Sequence, residues 1–202
     1  MGGERVTRGH GFLEPFLARK RASMANALIP APSRSGRILD VGCGSSPFFL
    51  QNTQFAEKFG VDKMAAPGVL QNGSGPGIRL EKLDVYESDS LPFEGDTFDV
   101  VTMLAVFEHI RVDRLIGLIT DIHRVLKPGG VYVMTTPSGW TGPILDTLKF
   151  LRLVSPEEIN EHEDSYSVKK IKAIMAKTPF APDRTRYGYF ELGMNVWMQA
   201  KK

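Results

Sequence analysis

Cysteine is nearly missing from this 202-residue chain. The single Cys43 cannot close an internal disulfide, so nothing points to a secreted, disulfide-stapled fold, and no cysteine pair suggests a zinc site. Long apolar runs are missing too. The longest, "VVTMLAVF" at 100–107, falls well short of the ~18 residues a membrane-spanning helix needs. The N-terminus has no continuous apolar core of the signal-peptide kind, and the expectation is a cytoplasmic protein with no integral membrane association. Charge of one sign is scarce: 25 Lys and Arg against 23 Asp and Glu leave a net +2, too little to argue for a nucleic-acid partner. Internal repeats are absent.

The small basic excess is local. Residues 1–37 carry seven Lys or Arg (Arg5, Arg8, Arg19, Lys20, Arg21, Arg34, Arg37) against Glu4 and Glu14. Two readings stand, a patch for an anionic substrate or membrane surface and an ordinary solvated helix face.

Period and punctuation give an alternating series. "FLEPFLARKRASMANALI" (12–29) has apolar residues near helical spacing, disturbed early by Pro15. "RILDVG" is a short apolar strand, and "SSPFFLQNTQFAE" reads as a helix capped by Ser46 with Pro47 at its first position. "KFGVD" is a second strand ending at Asp62, and "LEKLDV" a third, reaching Asp84. Between them residues 63–79, with four glycines and two prolines, read as a long mobile loop. A strong β run covers 98–104, followed by an amphipathic helix whose face carries Leu115, Leu118, Ile119, Ile122, Val125 and Leu126 and which ends at "KPGG". "VYVMTTP" is a fifth strand. "PILDTLKFLRLV" and "SVKKIKAIMAK" follow as helices, and the tail reads as two strands around Gly193. Strands alternating with helices predict a doubly wound α/β fold with a mainly parallel sheet. The chain divides as one domain over 1–202: an N-terminal helical segment (1–36), a ligand-binding core (37–137), and substrate-side helices with closing strands (138–202).

In such sheets ligands lie beyond the carboxyl ends of the strands. Gly42 and Gly44 sit at the first of these ends and permit positive φ and a close approach of backbone to ligand. A dinucleotide fingerprint would need a third glycine where this chain has Pro47, and no Walker lysine follows. A nicotinamide dehydrogenase is therefore the disfavoured rival. Asp40, Asp62 and Asp84 fall at three successive strand tips. Carboxylates there suit an ammonium group, a ribose diol and an exocyclic amine, which is to say a nucleoside bearing positive charge.

At this point the chain resembles the class I S-adenosylmethionine-dependent methyltransferases. "ILDVGCGSS" resembles their first motif, "VD" at 61–62 their ribose-binding acid, "LDV" at 83–85 their adenine position, and "LPFEGDTFDVVTMLAVFEHI" and "IHRVLKPGGVYVMTTP" the motifs that follow. The likeness runs from about Arg37 to Pro137. It implies a seven-stranded, Rossmann-like sheet with an antiparallel closing strand, and S-adenosyl-L-methionine as cofactor. It also implies that Asp40, Gly42 and Gly44 hold the methionine moiety, that Asp62 binds the ribose, that Asp84 and Val85 meet the adenine, and that Leu104 and Ala105 lie beneath the ligand. Ser46 stands where the family often has a third glycine.

Methyl transfer to oxygen usually also requires a proton acceptor. His109, in "FEHI", and His162, in the polar "PEEINEHEDSYS" near Tyr166, are the two candidates. The alternative for His109 is a structural role at a helix start. The metal-binding Glu-x-x-Glu-His run of some relatives is broken by Ala105, and the Asn/Asp-Pro-Pro-Tyr signature of amino methylation is absent. That leaves O-methylation of a small-molecule acceptor, with a sugar or lipid precursor in view, or else a non-catalytic cofactor-binding scaffold. Trp140, Phe150, Tyr166, Phe180, Tyr187, Tyr189 and Phe190 are aromatics that could line an acceptor cavity, more of them core than pocket.

Overall fold

A computed structural model describes residues 14–72, 75–88, 90–139 and 166–202. Its centre is an eight-stranded sheet with strand order β3-β4-β2-β1-β5-β6-β8-β7. The strands are β1 (Arg37–Val41), β2 (Glu57–Asp62), β3 (Gly68–Asn72), β4 (Gly75–Lys82), β5 (Phe98–Leu104), β6 (Leu126–Pro137), β7 (Thr185–Phe190) and β8 (Asn195–Lys201). The middle five, β4-β2-β1-β5-β6, run parallel, while β3, β8 and β7 are each joined to their neighbour antiparallel.

The central strands are parallel because helices cover both faces and bury almost every side chain. β1 is buried from Ile38 to Val41, and β6 from Gly130's neighbour Val131 to Thr136. One face packs on α3 (Val112–Val125) and α4 (Val168–Met175), through Leu115, Ile119, Ile122, Ile171 and Met175. The other packs on α1 (Glu14–Leu28) and α2 (Phe48–Gln51), through Ala22, Ala25, Phe49 and Leu50. Ser167 caps α4, its hydroxyl accepting from the Lys170 amide at 3.2 Å.

The doubly wound architecture is as expected, with four differences of detail. The sheet has eight strands, because residues 68–72 and 75–82 form an antiparallel hairpin where a loop was expected. The helix expected after β1 is a single turn, Phe48–Gln51, and Ser46 does not cap it: Pro47 is the N-cap, with no side-chain bond. Leu126 belongs to β6 rather than to the helix before it, and "KPGG" lies within that strand, where the pairing shifts register. The third parallel strand ends at Lys82, short of Asp84. The helix expected over "PILDTLKFLRLV" lies outside the described residues. Among the described residues no helix is long and apolar enough to cross a membrane.

Candidate functional site

The strand order reverses between β1 and β5: from β1 the chain winds through β2 to β4, and from β5 through β6 the other way. Their carboxyl ends therefore open a crevice, the position where ligands bind in such sheets. β1 delivers Asp40 to this crevice and stops at two glycines with different duties. Gly42 has φ +78°, and a Cβ on it would stand 2.3 Å from a Val106 methyl. Gly44 has φ +73°, and a Cβ there would meet nothing nearer than the Ser46 nitrogen at 4.0 Å. Gly42 thus allows packing against the β5 exit, and Gly44 presents bare backbone to open space.

The loop is fastened from β2. Gly42 and Cys43 N–H donate to the Val61 carbonyl at 2.8 and 3.2 Å. Gly44 N–H donates to Asp62 Oδ2 at 3.0 Å and Met64 N–H to Oδ1 at 2.7 Å. Asp62, only 4% exposed, is therefore the post that shapes the glycine loop. The loop rests on this anchoring from β2, since the single helical turn that follows, Phe48–Gln51, offers little dipole.

Asp40 is equally buried, and its Oδ1 accepts from Thr102 Oγ1 at 2.6 Å. The ladder sets this contact by pairing Asp40 with Thr102 of β5. Burial raises the Asp40 pKa to about 7, against the lowering effect of the Thr102 bond and with further upward pressure from Asp62. The Cys43 thiol is pushed up by burial and by the same two carboxylates, which leaves it inert. Two carboxyls confined together disfavour an anion and favour a cation placed between them. This set of acceptors suits a positively charged nucleoside and disfavours a phosphate.

Asp84 stands two residues beyond β4, where its Oδ1 accepts from Tyr86 N–H at 3.0 Å in a tight turn. The Leu83 amide donates to the Asp62 carbonyl at 3.1 Å, which keeps this turn beside the end of β2, and Val85 is buried under it. On the other wall, Leu104 ends β5 and Ala105 takes up a left-handed φ of +56°, its N–H donating to the Thr135 carbonyl at 2.9 Å. The chain then turns through Phe107–His109 in a short 3₁₀ helix, with His109 half-buried and its N–H donating to the Val106 carbonyl at 3.0 Å. Asp40, Gly42, Gly44, Asp62, Leu104, Ala105 and His109 thus all lie at or just beyond the carboxyl ends of β1, β2 and β5, with Asp84 and Val85 just beyond the end of β4.

His162, Trp140 and Phe150 lie outside the described residues. Tyr166 and Phe180 are core side chains rather than cavity lining: Tyr166 meets Phe107 edge to face at 4.8 Å, and Phe180 stacks on Tyr132 at 5.8 Å. Tyr187 packs against the same core and Tyr189 is exposed. Among the described residues no group of three His, Cys, Asp or Glu is arranged to hold a metal.

Sequence reasoning missed Thr102 and foresaw for Glu108 only a structural bond to backbone at a helix start. Thr102 carried no signal, because its role depends on a register between strands 62 residues apart. Glu108, 3% exposed, accepts from Thr136 Oγ1 at 3.0 Å and ties the 3₁₀ turn to β6. Its position beside His109 in "FEHI" was the available clue.

A family model described as a methyltransferase domain matches residues 10–184. Among curated proteins the chain is 34% identical over 112 residues to human methyltransferase-like protein 27, covering 54% of this chain and 43% of that one. It is 30% identical to a ubiquinone biosynthesis O-methyltransferase of Roseobacter denitrificans, covering 53% and 43%, and 26% identical to a demethylmenaquinone methyltransferase of Staphylococcus epidermidis, covering 80% and 69%. The chain thus spans less than half the length of the first two. A solved S-adenosylmethionine-dependent methyltransferase from Archaeoglobus fulgidus shares the fold at 19% identity, with a TM-score of 0.67 over 95% of this chain and 98% of that one. The cofactor that the family and fold imply is S-adenosyl-L-methionine. With the acidic crevice at the strand-order reversal, the match over 10–184 gives the assignment: the chain belongs to the methyltransferase-domain family.

Proposed function

We propose that the protein methylates an oxygen of a small, partly apolar acceptor, using S-adenosyl-L-methionine. The observation that carries this reading is two buried carboxyls, Asp40 and Asp62, at the ends of the paired strands β1 and β2, with Asp62 bonded to the Gly44 amide of the glycine loop. When bound, the cofactor supplies a methyl group already activated by its sulfonium charge, so the protein's task is placement. Asp40 and the Gly42–Gly44 backbone would hold the methionine end, Asp62 the ribose, and Asp84 with Val85 the adenine. Leu104 and Ala105 would form the floor beside the reacting centre. His109, on the 3₁₀ turn that Glu108 and Thr136 hold against β6, would take the acceptor's hydroxyl proton. The relatives named for ubiquinone and demethylmenaquinone support an acceptor from the lipid-precursor side of the expected range rather than a free sugar.

The test is incubation of the protein and methyl-labelled cofactor with fractionated cell extract. Label in a lipid-extractable product, lost about 10²–10⁴-fold in His109→Ala with cofactor affinity unchanged, is the expected result. Tight cofactor binding with no labelled product in any fraction would favour the non-catalytic scaffold.

A further inference from the structure

The turn joining β7 to β8 holds three successive residues in the left-handed region: Glu191 at φ +52°, Leu192 at +56° and Gly193 at +85°. Only the glycine does so without steric cost. Leu192 recovers none of that cost by packing, because it is 95% exposed. Asparagine or glycine would suit the backbone better and would not leave an apolar side chain in water. The turn is also firmly mounted. Ser138 Oγ donates to the Gly193 carbonyl at 2.6 Å, Ser138 N–H to the Met194 carbonyl at 2.8 Å, and Asn195 Nδ2 to Glu191 Oε2 at 2.6 Å. A rigid support therefore holds a leucine out from the protein at the carboxyl end of β6.

α1 completes the rim. At its end Leu28 accepts from Gln199 Nε2, and earlier Lys20 and Arg21 lie near enough to Glu191 to draw its carboxyl down, against the larger upward push of burial. α1 thus runs alongside β8 in the same direction, and its first turns pass the β7–β8 turn at the edge of the sheet that carries the crevice. There Phe16 is 53% exposed, with the Lys20 ammonium 5.3 Å from its ring, and Arg19 is exposed beside it. Against Arg19, Lys20 and Arg21 the helix has a single acid, Glu14.

We propose that this rim is a docking surface for an anionic lipid bilayer. Leu192 and Phe16 enter the boundary between headgroups and acyl chains, and Arg19, Lys20 and Arg21 face the anionic headgroups. Two apolar side chains projecting from separate elements among cations suit a fluid phase. A protein partner asks for a continuous patch of about 800 Å² on each side. Three of the seven basic residues in 1–37, Arg19, Lys20 and Arg21, thereby have an occupant. The inference deepens the proposed function, because it brings the crevice to a lipid phase from which a partly apolar acceptor could be drawn, and it rests on that reading only for this consequence.

The experiment is co-sedimentation of the full chain with phosphatidylcholine vesicles, with and without phosphatidylglycerol. Binding is expected only to the anionic vesicles and should weaken as salt is raised. Leu192→Asn, which the left-handed turn accepts, should reduce vesicle affinity about 10-fold or more while keeping the thermal midpoint and the affinity for S-adenosylhomocysteine. Lys20→Glu should also reduce it. Equal sedimentation with both vesicle types, or unchanged binding by Leu192→Asn, would overturn the proposal. So would concentration-dependent self-association abolished by Leu192→Asn, which would assign the rim to a second copy of the chain. Anionic-vesicle binding without any labelled methyl product would refute the proposed function and leave the docking surface standing.

Discussion

Asp40 couples folding, pH and ligand through one proton. The unfolded side chain loses its proton near its ordinary 3.8, while the buried, Thr102-bonded carboxyl keeps it to about 7. Between those values the folded state binds more protons than the unfolded state, so stability falls as pH rises through the window. Asp40→Asn, which still accepts from Thr102, should match the parent near about pH 4 and exceed it by roughly 2–4 kcal/mol near about pH 8 in chemical denaturation. A cation in the crevice reverses the preference, because it favours the ionised form. Binding of S-adenosylmethionine should therefore release a proton below neutrality and tighten as pH rises toward 7, and calorimetry in buffers of different ionisation enthalpy reads both. The two glycines predict a second contrast. Gly44→Ala should destabilise by only about 1–2 kcal/mol, from its left-handed backbone, yet cut cofactor affinity severely because the new methyl enters the open cradle. Gly42→Ala adds a clash with Val106 and should fail first in stability. Asp62→Ala removes the acceptor for Gly44 and Met64 N–H and should weaken cofactor binding by about 1–3 kcal/mol in the folded variant.

Elements that bury a full face were legible, and those that depend on distant partners were not. β1, β5 and the second half of β6 show as mainly apolar runs because both sides of each are covered, and α3 shows as a 3.6-residue stripe because one side is. Replacing Ile119, fully buried at the centre of that stripe, with alanine should cost about 2–5 kcal/mol in denaturant unfolding. β3 was hidden because it is an edge strand bonded on one side only, with Gly68, Gly75 and Gly77 in and around the hairpin. Gly77 has a packing reason: a Cβ there would stand 2.6 Å from a Val69 methyl on the paired strand. The single turn of α2 was overread because its apolar residues continue past the helix into Phe55, which packs in the same core without being helical. For the site the division is the same. Residues at strand ends, Asp40, Gly42, Gly44 and Asp62, were readable from their place in the sequence. Thr102 and Thr136 act across the sheet and needed the register.

For the molecule as a whole, the reversal of strand order brings the ends of β1 and β5 together and ties ligand binding to the centre of the sheet. β1 pairs with both β2 and β5, and the crevice loops are fastened to β2 and β6 by Val61, Asp62 and Thr135. A ligand that binds between these loops should therefore stabilise the global fold rather than a peripheral flap. Under linkage, S-adenosylhomocysteine at about 100 times its dissociation constant should add about 2.7 kcal/mol, which for a chain of this size raises the thermal midpoint by about 5–10 °C. NADH should leave the midpoint where it is, because its pyrophosphate would bring negative charge to the Asp40–Asp62 pair and Pro47 stands where a dinucleotide loop needs glycine. A midpoint raised by NADH and untouched by S-adenosylhomocysteine would mean that the carboxylates do not select for positive charge, and the electrostatic basis of the site assignment would fail with it.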